Sequence, residues 1–163
     1  MIFVALGTQK FQFNRLLKAL DLMVQERKIR DEVVAQIGHS TYVPKSFKTT
    51  NFLNVNEYNK NIRTCSILIT HAGVGTILEG KKLKKPVIVV PRLSKYEEHV
   101  DDHQTEIAED FARKKLVVIC RNLEELPLLI KKAKNSQLVD YVSNNRKFIT
   151  KLKNAMDDLS IKY

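Results

Sequence analysis

Short apolar runs alternate with amphipathic segments along most of the chain. Ile2–Leu6, Ser66–Thr70 and Pro86–Val90 are such runs, and Gly7 and Pro91 close two of them. Runs of this length and character are typical of strands that are buried on both faces of a parallel sheet. Between the runs, apolar residues recur every three or four positions, as they do on one face of a helix. The alternation predicts an α/β fold, a Rossmann-like doubly wound and mostly parallel sheet of about six strands.

The remaining elements follow from the same two periodicities. Three further strands are predicted over Val33–Ile37, Phe52–Val55 and Leu116–Cys120. The predicted helices cover residues 13–24, about 57–63, the segment from Thr76 to about Leu83, and residues 101–113, 123–134 and 139–156. Because no linker, repeat or low-complexity stretch interrupts the pattern, residues 1–163 are predicted to form a single domain.

Composition excludes several classes of protein. The chain is 44% hydrophobic and 28% charged, which is ordinary for a globular protein and argues against wholesale disorder. Its apolar runs are all much shorter than the roughly 18 residues of a membrane-spanning helix, and its first residues resemble a strand more than a secretory signal. Only two cysteines are present, Cys65 and Cys120. We expect them to be inert core thiols in a reducing, cytosolic compartment.

The net charge of +10 is concentrated toward the end of the chain. Residues 113–163 hold 12 of the 28 Lys+Arg but only 5 of the 18 Asp+Glu. Such a segment could face nucleic acid, anionic lipid or an acidic partner, or it could be the solvated face of Lys-rich helices. Two of the basic clusters, residues 81–85 and 113–115, fall at predicted helix C-termini, where cations complement the helix dipole. Aromatic residues are not interleaved with the charge, so we do not expect nucleic-acid binding.

The segment His71–Glu79 follows an inner strand and carries the strongest functional signal. Its glycines, Gly73 and Gly75, let a ligand approach the backbone, and the N–H groups that open the next helix favour a phosphate. Thr76 adds a hydroxyl, and Glu79 lies one turn further along the same face, where a carboxylate could hold the hydroxyls of a ribose. The P-loop and dinucleotide-binding motifs are absent from this segment. A plain glycine-rich turn followed by a surface glutamate explains the pattern equally well.

A dense polar run, residues 97–104, follows the predicted fifth strand. It opens a helix that Asp101 or Asp102 could cap, and it contains His103 and Gln104, whose donors and acceptors suit a sugar. His99 and His103 are four residues apart and could instead bind a metal, but no further histidine completes a recognised ligand set. A solvated helix start is the third interpretation.

Taken together, these junctions resemble a known family. Gly7-Thr8, His71-Ala72-Gly73 with Glu79, the strand 86–90 with Pro91-Arg92, and the run EHVDDHQ at 98–104 match the catalytic subunit of bacterial two-protein capsular and exopolysaccharide glycosyltransferases. That family is defined by the C-terminal domain of glycosyltransferase family 28. More distant similarity extends to the peptidoglycan lipid II GlcNAc transferase and to the catalytic subunit of the dolichol-linked GlcNAc transferase. The resemblance implies the C-terminal, donor-binding half of a GT-B enzyme.

The resemblance implies a role for each matched position on a UDP-sugar. The diphosphate would lie on residues 73–76, the ribose on Glu79 and the uracil beside the loop at Val55, while His103 and Gln104 would contact the sugar. Arg92 would help to stabilise the departing UDP, and Asn14 would cap its helix. The predicted nucleotide-sugar site comprises Gly7, Thr8, Val55, Ala72, Gly73, Val74, Gly75, Thr76, Glu79, Arg92, Asp102, His103 and Gln104.

The implied activity is an inverting, metal-independent hexosyl transfer to a lipid-pyrophosphate-linked saccharide, with galactose, glucose, glucuronic acid or GlcNAc as the sugar. A GT-B enzyme needs two such domains, so we expect a membrane-anchored, acceptor-binding partner that holds the chain at the cytoplasmic face of the membrane. His71 and His99 are the local candidates for the general base, unless the partner supplies it. Beyond the donor substrate we expect no cofactor. The alternative is a UDP-sugar-binding accessory module that does not itself transfer sugar.

Overall fold

A computed structural model describes residues 1–135, 138, 139 and 141. Six strands form one sheet: β1 (Ile2–Ala5), β2 (Val33–Gln36), β3 (Lys48–Thr50), β4 (Ile67–Thr70), β5 (Val87–Val89) and β6 (Val118–Ile119). Five α-helices flank it: α1 (Asn14–Gln25), α2 (Val55–Thr64), α3 (Val74–Lys82), α4 (His103–Arg113) and α5 (Leu126–Asn135). The predicted helix over 139–156 lies almost entirely outside the described residues.

All neighbouring strands are parallel, in the order β3-β2-β1-β4-β5-β6. This is the order of a doubly wound Rossmann sheet, so the predicted fold class is confirmed. Side chains alternate across the sheet: Val4 packs beneath α1 and α5, whereas Phe3 packs on the other side with α2, α3 and α4. Both faces of β1 are therefore fully buried, which explains why the sequence shows a continuous apolar run there.

The third strand was predicted too far along the chain. We expected Phe52–Val55, but β3 lies at Lys48–Thr50 and Val55 is the first residue of α2. Asn54 fixes that helix start because its side chain accepts a hydrogen bond from the Glu57 backbone at 2.9 Å while the Glu57 carboxylate accepts from the Asn54 backbone. β3 is a short edge strand with exposed polar residues and so lacks an apolar signal.

Other features agree with the sequence analysis. Cys65 and Cys120 are buried, and burial raises the pKa of both thiols, that of Cys120 to about 11. Within the described ranges, no helix is both long enough and apolar enough to span a membrane.

Candidate functional site

The sheet changes winding direction between β1 and β4, and the loops that follow these two strands define a crevice. After β1 the chain crosses to α1 on one face, and after β4 it crosses to α3 on the other. The loop after β1 holds Gly7 and Thr8, and the loop after β4 holds residues 71–73. In open α/β sheets this switch point is where ligands bind.

His71 fills the space between the two loops. An added Cβ on Gly7 would lie 2.7 Å from the His71 ring, and an added Cβ on Gly73 would overlap the same ring. Gly7 also has a φ of +78°, in the left-handed region. The two glycines are therefore needed because the imidazole packs directly against the backbone on both sides of the crevice.

Gly7→Ala is expected to lower the free energy of unfolding by about 2 kcal/mol, since the alanine would combine left-handed strain with a clash on the His71 ring. Gly75→Ala is the matched control, because an added Cβ there meets no atom within 4 Å. Gly75 lies in the first turn of α3, so its replacement should keep or raise the melting temperature. Equal melting temperatures for the two variants would contradict the packing role of Gly7.

The surroundings of His71 favour its neutral form. Burial lowers its pKa to about 4, and the nearby charges of Arg92 and His99 act in the same direction. Its Nδ1 lies 3.3 Å from the Thr70 hydroxyl, which donates to the Ala5 carbonyl at 2.7 Å. At neutral pH the crevice is thus lined by an uncharged imidazole.

This depressed pKa predicts how stability depends on pH. Well above pH 6.5 His71 is neutral in both the folded and unfolded states, so it contributes no pH dependence. As the pH falls toward 4, the unfolded chain takes up the proton first, and stability drops by about 2 kcal/mol at pH 5. Denaturant unfolding of the wild type and His71→Gln at pH 7.5 and pH 5 measures this loss, which the variant should lack. Equal losses in both proteins would show that His71 is not desolvated.

A pocket of about 340 Å³ opens beside this crevice. It is bounded by the loop after β1, the end of β2, the start of α2 and one face of α3. Five of its lining residues were predicted from the sequence, namely Gly7, Thr8, Val55, Thr76 and Glu79. The other four are Gln36, Leu53, Tyr58 and Asn59. We call this set of nine residues the donor pocket, after the role that the sequence resemblance implies for it.

Helix α3 supplies the polar wall of the donor pocket. Its N-cap is Gly73, which has no side chain to satisfy the first N–H groups of the helix. Thr76 and Glu79 lie one turn apart, and the Thr76 hydroxyl is 3.4 Å from that of Tyr58. Burial and the Glu79 charge raise the pKa of Tyr58. A hydroxyl and a carboxylate thus face one cavity, and the uncapped start of the same helix lies within one turn of Thr76, an arrangement suited to a diol and a phosphate.

Two of the residues that the sequence analysis missed bring α2 to the pocket. Gln36 is the last residue of β2, and its side-chain oxygen accepts from the Leu53 backbone at 3.1 Å. Tyr58 projects from α2 onto Phe3 in an edge-to-face contact, with ring centroids 5.6 Å apart. A polar residue at the carboxyl end of an otherwise apolar strand was the available signal for Gln36. Tyr58 lies inside the predicted helix, but nothing in the sequence around it indicated that its side chain would line a pocket.

Arg92 does not line the donor pocket. It is only 2% exposed, and its guanidinium donates to the backbone carbonyls of Leu6 at 2.7 Å, Phe11 at 3.0 Å and Glu98 at 3.3 Å. It also lies over the Phe13 ring. The guanidinium therefore has a structural role in this structure, and its stabilisation of a departing UDP stays a prediction. Arg92 joins the end of β1 to the loop after β5, and its charge helps to lower the pKa of His71.

A second arginine holds the same loop to α1. Arg15 donates to both oxygens of the fully buried Glu98, at 3.0 and 2.9 Å, and Glu98 also accepts from the Leu93 backbone at 3.1 Å. A paired, hydrogen-bonded carboxylate can remain buried where an isolated one would be very costly. The loop from Pro91 to Glu98 is consequently held against α1.

Gln104 connects the loops after β4 and β5. Its side-chain oxygen accepts from the backbone N–H groups of Ala72 at 3.3 Å and Arg92 at 3.2 Å. These two donors orient the amide, whose nitrogen makes no hydrogen bond to any described residue. A donor is thereby left free beside the crevice.

The other polar residues of the 97–104 run lie at the outer rim. Asp102 occupies the N-cap position of α4, but its carboxylate accepts from the Ser94 backbone at 2.7 Å instead of capping the helix. His103 is exposed and lies 3.0 Å from Glu106, whereas His99 pairs with Asp101 at 2.9 Å and packs on Phe11. The two histidines thus have different partners. In the described part of the chain, no three His, Cys, Asp or Glu side chains form a group that could hold a metal ion.

Asn14 has a different role from the one we expected. It lies inside the first turn of α1, and its side-chain oxygen accepts from the backbones of Thr41 at 3.0 Å and Tyr42 at 2.9 Å. It therefore ties the loop after β2 to α1 and does not cap its own helix.

Comparison with known proteins identifies the family to which this fold belongs. Residues 1–159 match the glycosyltransferase family 28 C-terminal domain. The chain belongs to that family. UDP-N-acetylglucosamine transferase subunit ALG13 of Mus musculus is 30% identical over 125 residues, covering 72% of this chain and 10% of that protein. The same subunit of Debaryomyces hansenii is 29% identical over 147 residues, covering 84% of this chain and 63% of that protein. This family 28 chain thus spans 10% of the length of the mouse relative and 63% of the length of the Debaryomyces hansenii relative.

Solved structures show the same fold for this family 28 domain. MurG of Acinetobacter baumannii superposes with a TM-score of 0.58 at 20% identity, over 85% of this chain and 42% of MurG. The calicheamicin glycosyltransferase CalG4 gives a TM-score of 0.62 at 14% identity, over 83% of this chain and 34% of CalG4. The fold is that of the Rossmann-like C-terminal domain of GT-B glycosyltransferases.

Proposed function

We propose that this family 28 domain is the UDP-sugar-binding, catalytic subunit of a two-component glycosyltransferase. The observation that carries the proposal is the donor pocket, a cavity at the switch point of the sheet that is lined by Thr76 and Glu79 and lies next to the uncapped start of α3. An uncapped helix start attracts a diphosphate, and a carboxylate one turn along can accept from both ribose hydroxyls.

The donor is assigned to the pocket part by part. The diphosphate lies against Ala72 and the backbone of 73–76, with Gly7 and Thr8 across the crevice, and the uracil lies beside Val55. The free amide nitrogen of Gln104 and the His103 ring contact the sugar, with Asp102 at the rim. Among the four candidate sugars we favour GlcNAc, because ALG13 is named as a UDP-N-acetylglucosamine transferase subunit.

The proposed reaction is an inverting displacement. An acceptor hydroxyl attacks the anomeric carbon, its proton passes to a base, and the sugar–oxygen bond to UDP breaks with the electron pair remaining on the β-phosphate. The N–H groups that open α3 stabilise that negative charge. His99 is our first candidate base in this chain: in the tautomer whose Nδ1–H donates to the Asp101 carboxylate, Nε2 is left to take the proton. His71 is the second, and a residue of the partner is the third.

The partner and acceptor complete the proposal. ALG13 is named as a subunit, which supports an obligatory second protein. We assign to that protein the membrane anchor, the binding of a lipid-pyrophosphate-linked saccharide of capsule or exopolysaccharide synthesis, and the recruitment of this chain to the cytoplasmic face of the membrane.

A donor screen with the reconstituted pair tests the function. The chain is co-expressed with its membrane partner and offered UDP-galactose, UDP-glucose, UDP-glucuronic acid or UDP-GlcNAc together with a lipid-linked acceptor. We expect one donor to be used and the double variant Glu79→Ala/His103→Ala to lose transfer. Transfer that survives in this variant would show that the chain is an accessory module and that its partner carries the chemistry.

A further inference from the structure

A second cavity lies at the opposite end of the strands from the donor pocket. It has a volume of about 660 Å³ and runs between the α1–β2 loop and one face of α5. Its lining residues are Arg27, Lys28, Ile29, Arg30, Asp31, Pro127, Ile130, Lys131 and Lys134. We call this cavity the basic groove. It lies beside the amino ends of the strands, since Ile2, the first residue of β1, donates to the carbonyl of Glu32.

The groove holds an excess of unneutralised positive charge. Five of its lining residues are cationic and one is acidic. Lys134 pairs with Asp31 at 2.6 Å, and Lys28 pairs with Glu26 at 2.7 Å. The other three, Arg27, Arg30 and Lys131, form no ion pair with any described residue. Three cations that have no ion-pair partner among the described residues therefore line one concave surface.

The walls of the groove are held together by buried apolar contacts. Ile29 is 3% exposed and Ile130 is 4% exposed, and both belong to the core beneath α1 and α5. The cations above them are consequently carried by two anchored elements. Because the apolar floor is already covered, the accessible surface of the groove suits a charged ligand better than an apolar one.

Arg27 adopts a conformation that favours glycine. Its φ is +58°, and it follows α1 at the position where the Lys28 backbone donates back to Met23 and the Arg27 backbone to Val24. In this helix ending, glycine avoids a strain of about 1 kcal/mol that an arginine must bear. The helix dipole favours a cation near the end of α1, but it does not account for Arg30 or for Lys131 in the middle of α5.

We propose that the basic groove binds a ligand carrying clustered phosphate groups. Guanidinium groups form paired hydrogen bonds to phosphate oxygens, and a lysine adds a mobile point charge, so Arg27, Arg30 and Lys131 suit such a ligand. The phosphates come either from a free polyphosphate compound or from anionic lipid headgroups. The groove lies at the amino ends of the strands, away from the donor pocket. Binding of the phosphate ligand is therefore independent of UDP binding.

Binding of tripolyphosphate, by calorimetry, and of phosphatidylglycerol vesicles, by sedimentation, tests this proposal with the full chain at 150 mM NaCl. Arg30→Gln/Lys131→Gln should weaken binding of the probe about tenfold or more, because two charged hydrogen-bond donors are lost. Arg63→Gln/Lys60→Gln is the matched control, with the same loss of charge on α2, and should stay within about twofold of the wild type. UDP binding should be unchanged in both doubles, which separates this test from that of the donor pocket.

Each outcome decides the proposal. Binding of tripolyphosphate alone identifies a soluble ligand, and binding of vesicles alone identifies lipid headgroups. Either result supports the site if Arg30→Gln/Lys131→Gln weakens the binding and the α2 control variant does not. Equal weakening in the two double variants, or no binding of either probe by the wild type, overturns the proposal.

Arg27→Gly adds an independent check: a melting temperature that is equal or higher, together with weaker binding, supports a ligand role. Unchanged binding would show that Arg27 only ends helix α1, and it would contradict the proposed site, which includes Arg27.

Discussion

Glu79→Ala is expected to weaken UDP binding by about a hundredfold or more, as measured by calorimetry. Glu79 provides the carboxylate of the donor pocket, at the end of the wall that begins with the uncapped N-terminus of α3. Two charge-assisted hydrogen bonds to ribose hydroxyls together contribute about 3 kcal/mol, which corresponds to that loss of affinity. Because the side chain lies at the pocket surface, the variant should unfold at nearly the wild-type temperature.

Two matched variants make the Glu79 result specific. Glu79→Gln keeps the shape and one acceptor oxygen but loses the charge, so its affinity should fall between those of the wild type and Glu79→Ala. Glu125→Ala removes an exposed carboxylate from the 3-10 turn before α5 and should leave UDP binding unchanged. Wild-type affinity in Glu79→Ala would exclude this residue from the nucleotide site and would place the donor elsewhere on the chain.

The parts of the fold that were predictable from sequence are those that are buried on two sides. β1, β4 and β5 read as apolar runs because both of their faces pack against helices. The residues that end them, Gly7 and His71 among them, were therefore placed correctly at the carboxyl edge. Once the strand order is known, the switch point follows, and so does the meeting of the loops after β1 and β4.

The missed parts depend on contacts between residues that are distant in sequence. β3 is polar and at the edge, so its pairing with β2 and not its own pattern makes it a strand. Gln36 lines the pocket beside α2 because its side chain accepts a hydrogen bond from the Leu53 backbone, just before the Asn54 cap of that helix. The buried position of Arg92 was missed for a related reason. Its partners, Leu6 and Phe11, are more than 80 residues away, and nothing local reveals that they surround it.

Arg92→Met is expected to lower the free energy of unfolding by about 3 to 5 kcal/mol. The substitution leaves the buried carbonyls of Leu6, Phe11 and Glu98 without their donor. Burial also lowers the pKa of Arg92 to about 10, which is a cost of keeping the charge inside, but the group is still protonated at neutral pH. Removing the buried charge relieves that cost, but losing the three hydrogen bonds should destabilise the protein by more. The melting temperature should therefore fall by about 10 °C.

Comparison with two further substitutions separates structural support from ligand contact. Arg92→Lys keeps the charge but cannot reach three divergent carbonyls, so most of the destabilisation should remain. Arg63→Met removes an exposed arginine from α2 and should change stability by no more than about 0.5 kcal/mol. Because Leu6 immediately precedes Gly7, Arg92→Met should also weaken UDP binding, in parallel with its loss of stability. If it instead weakened UDP binding at an unchanged melting temperature, Arg92 would contact the diphosphate directly, and the loop after β5 would have to open to expose it.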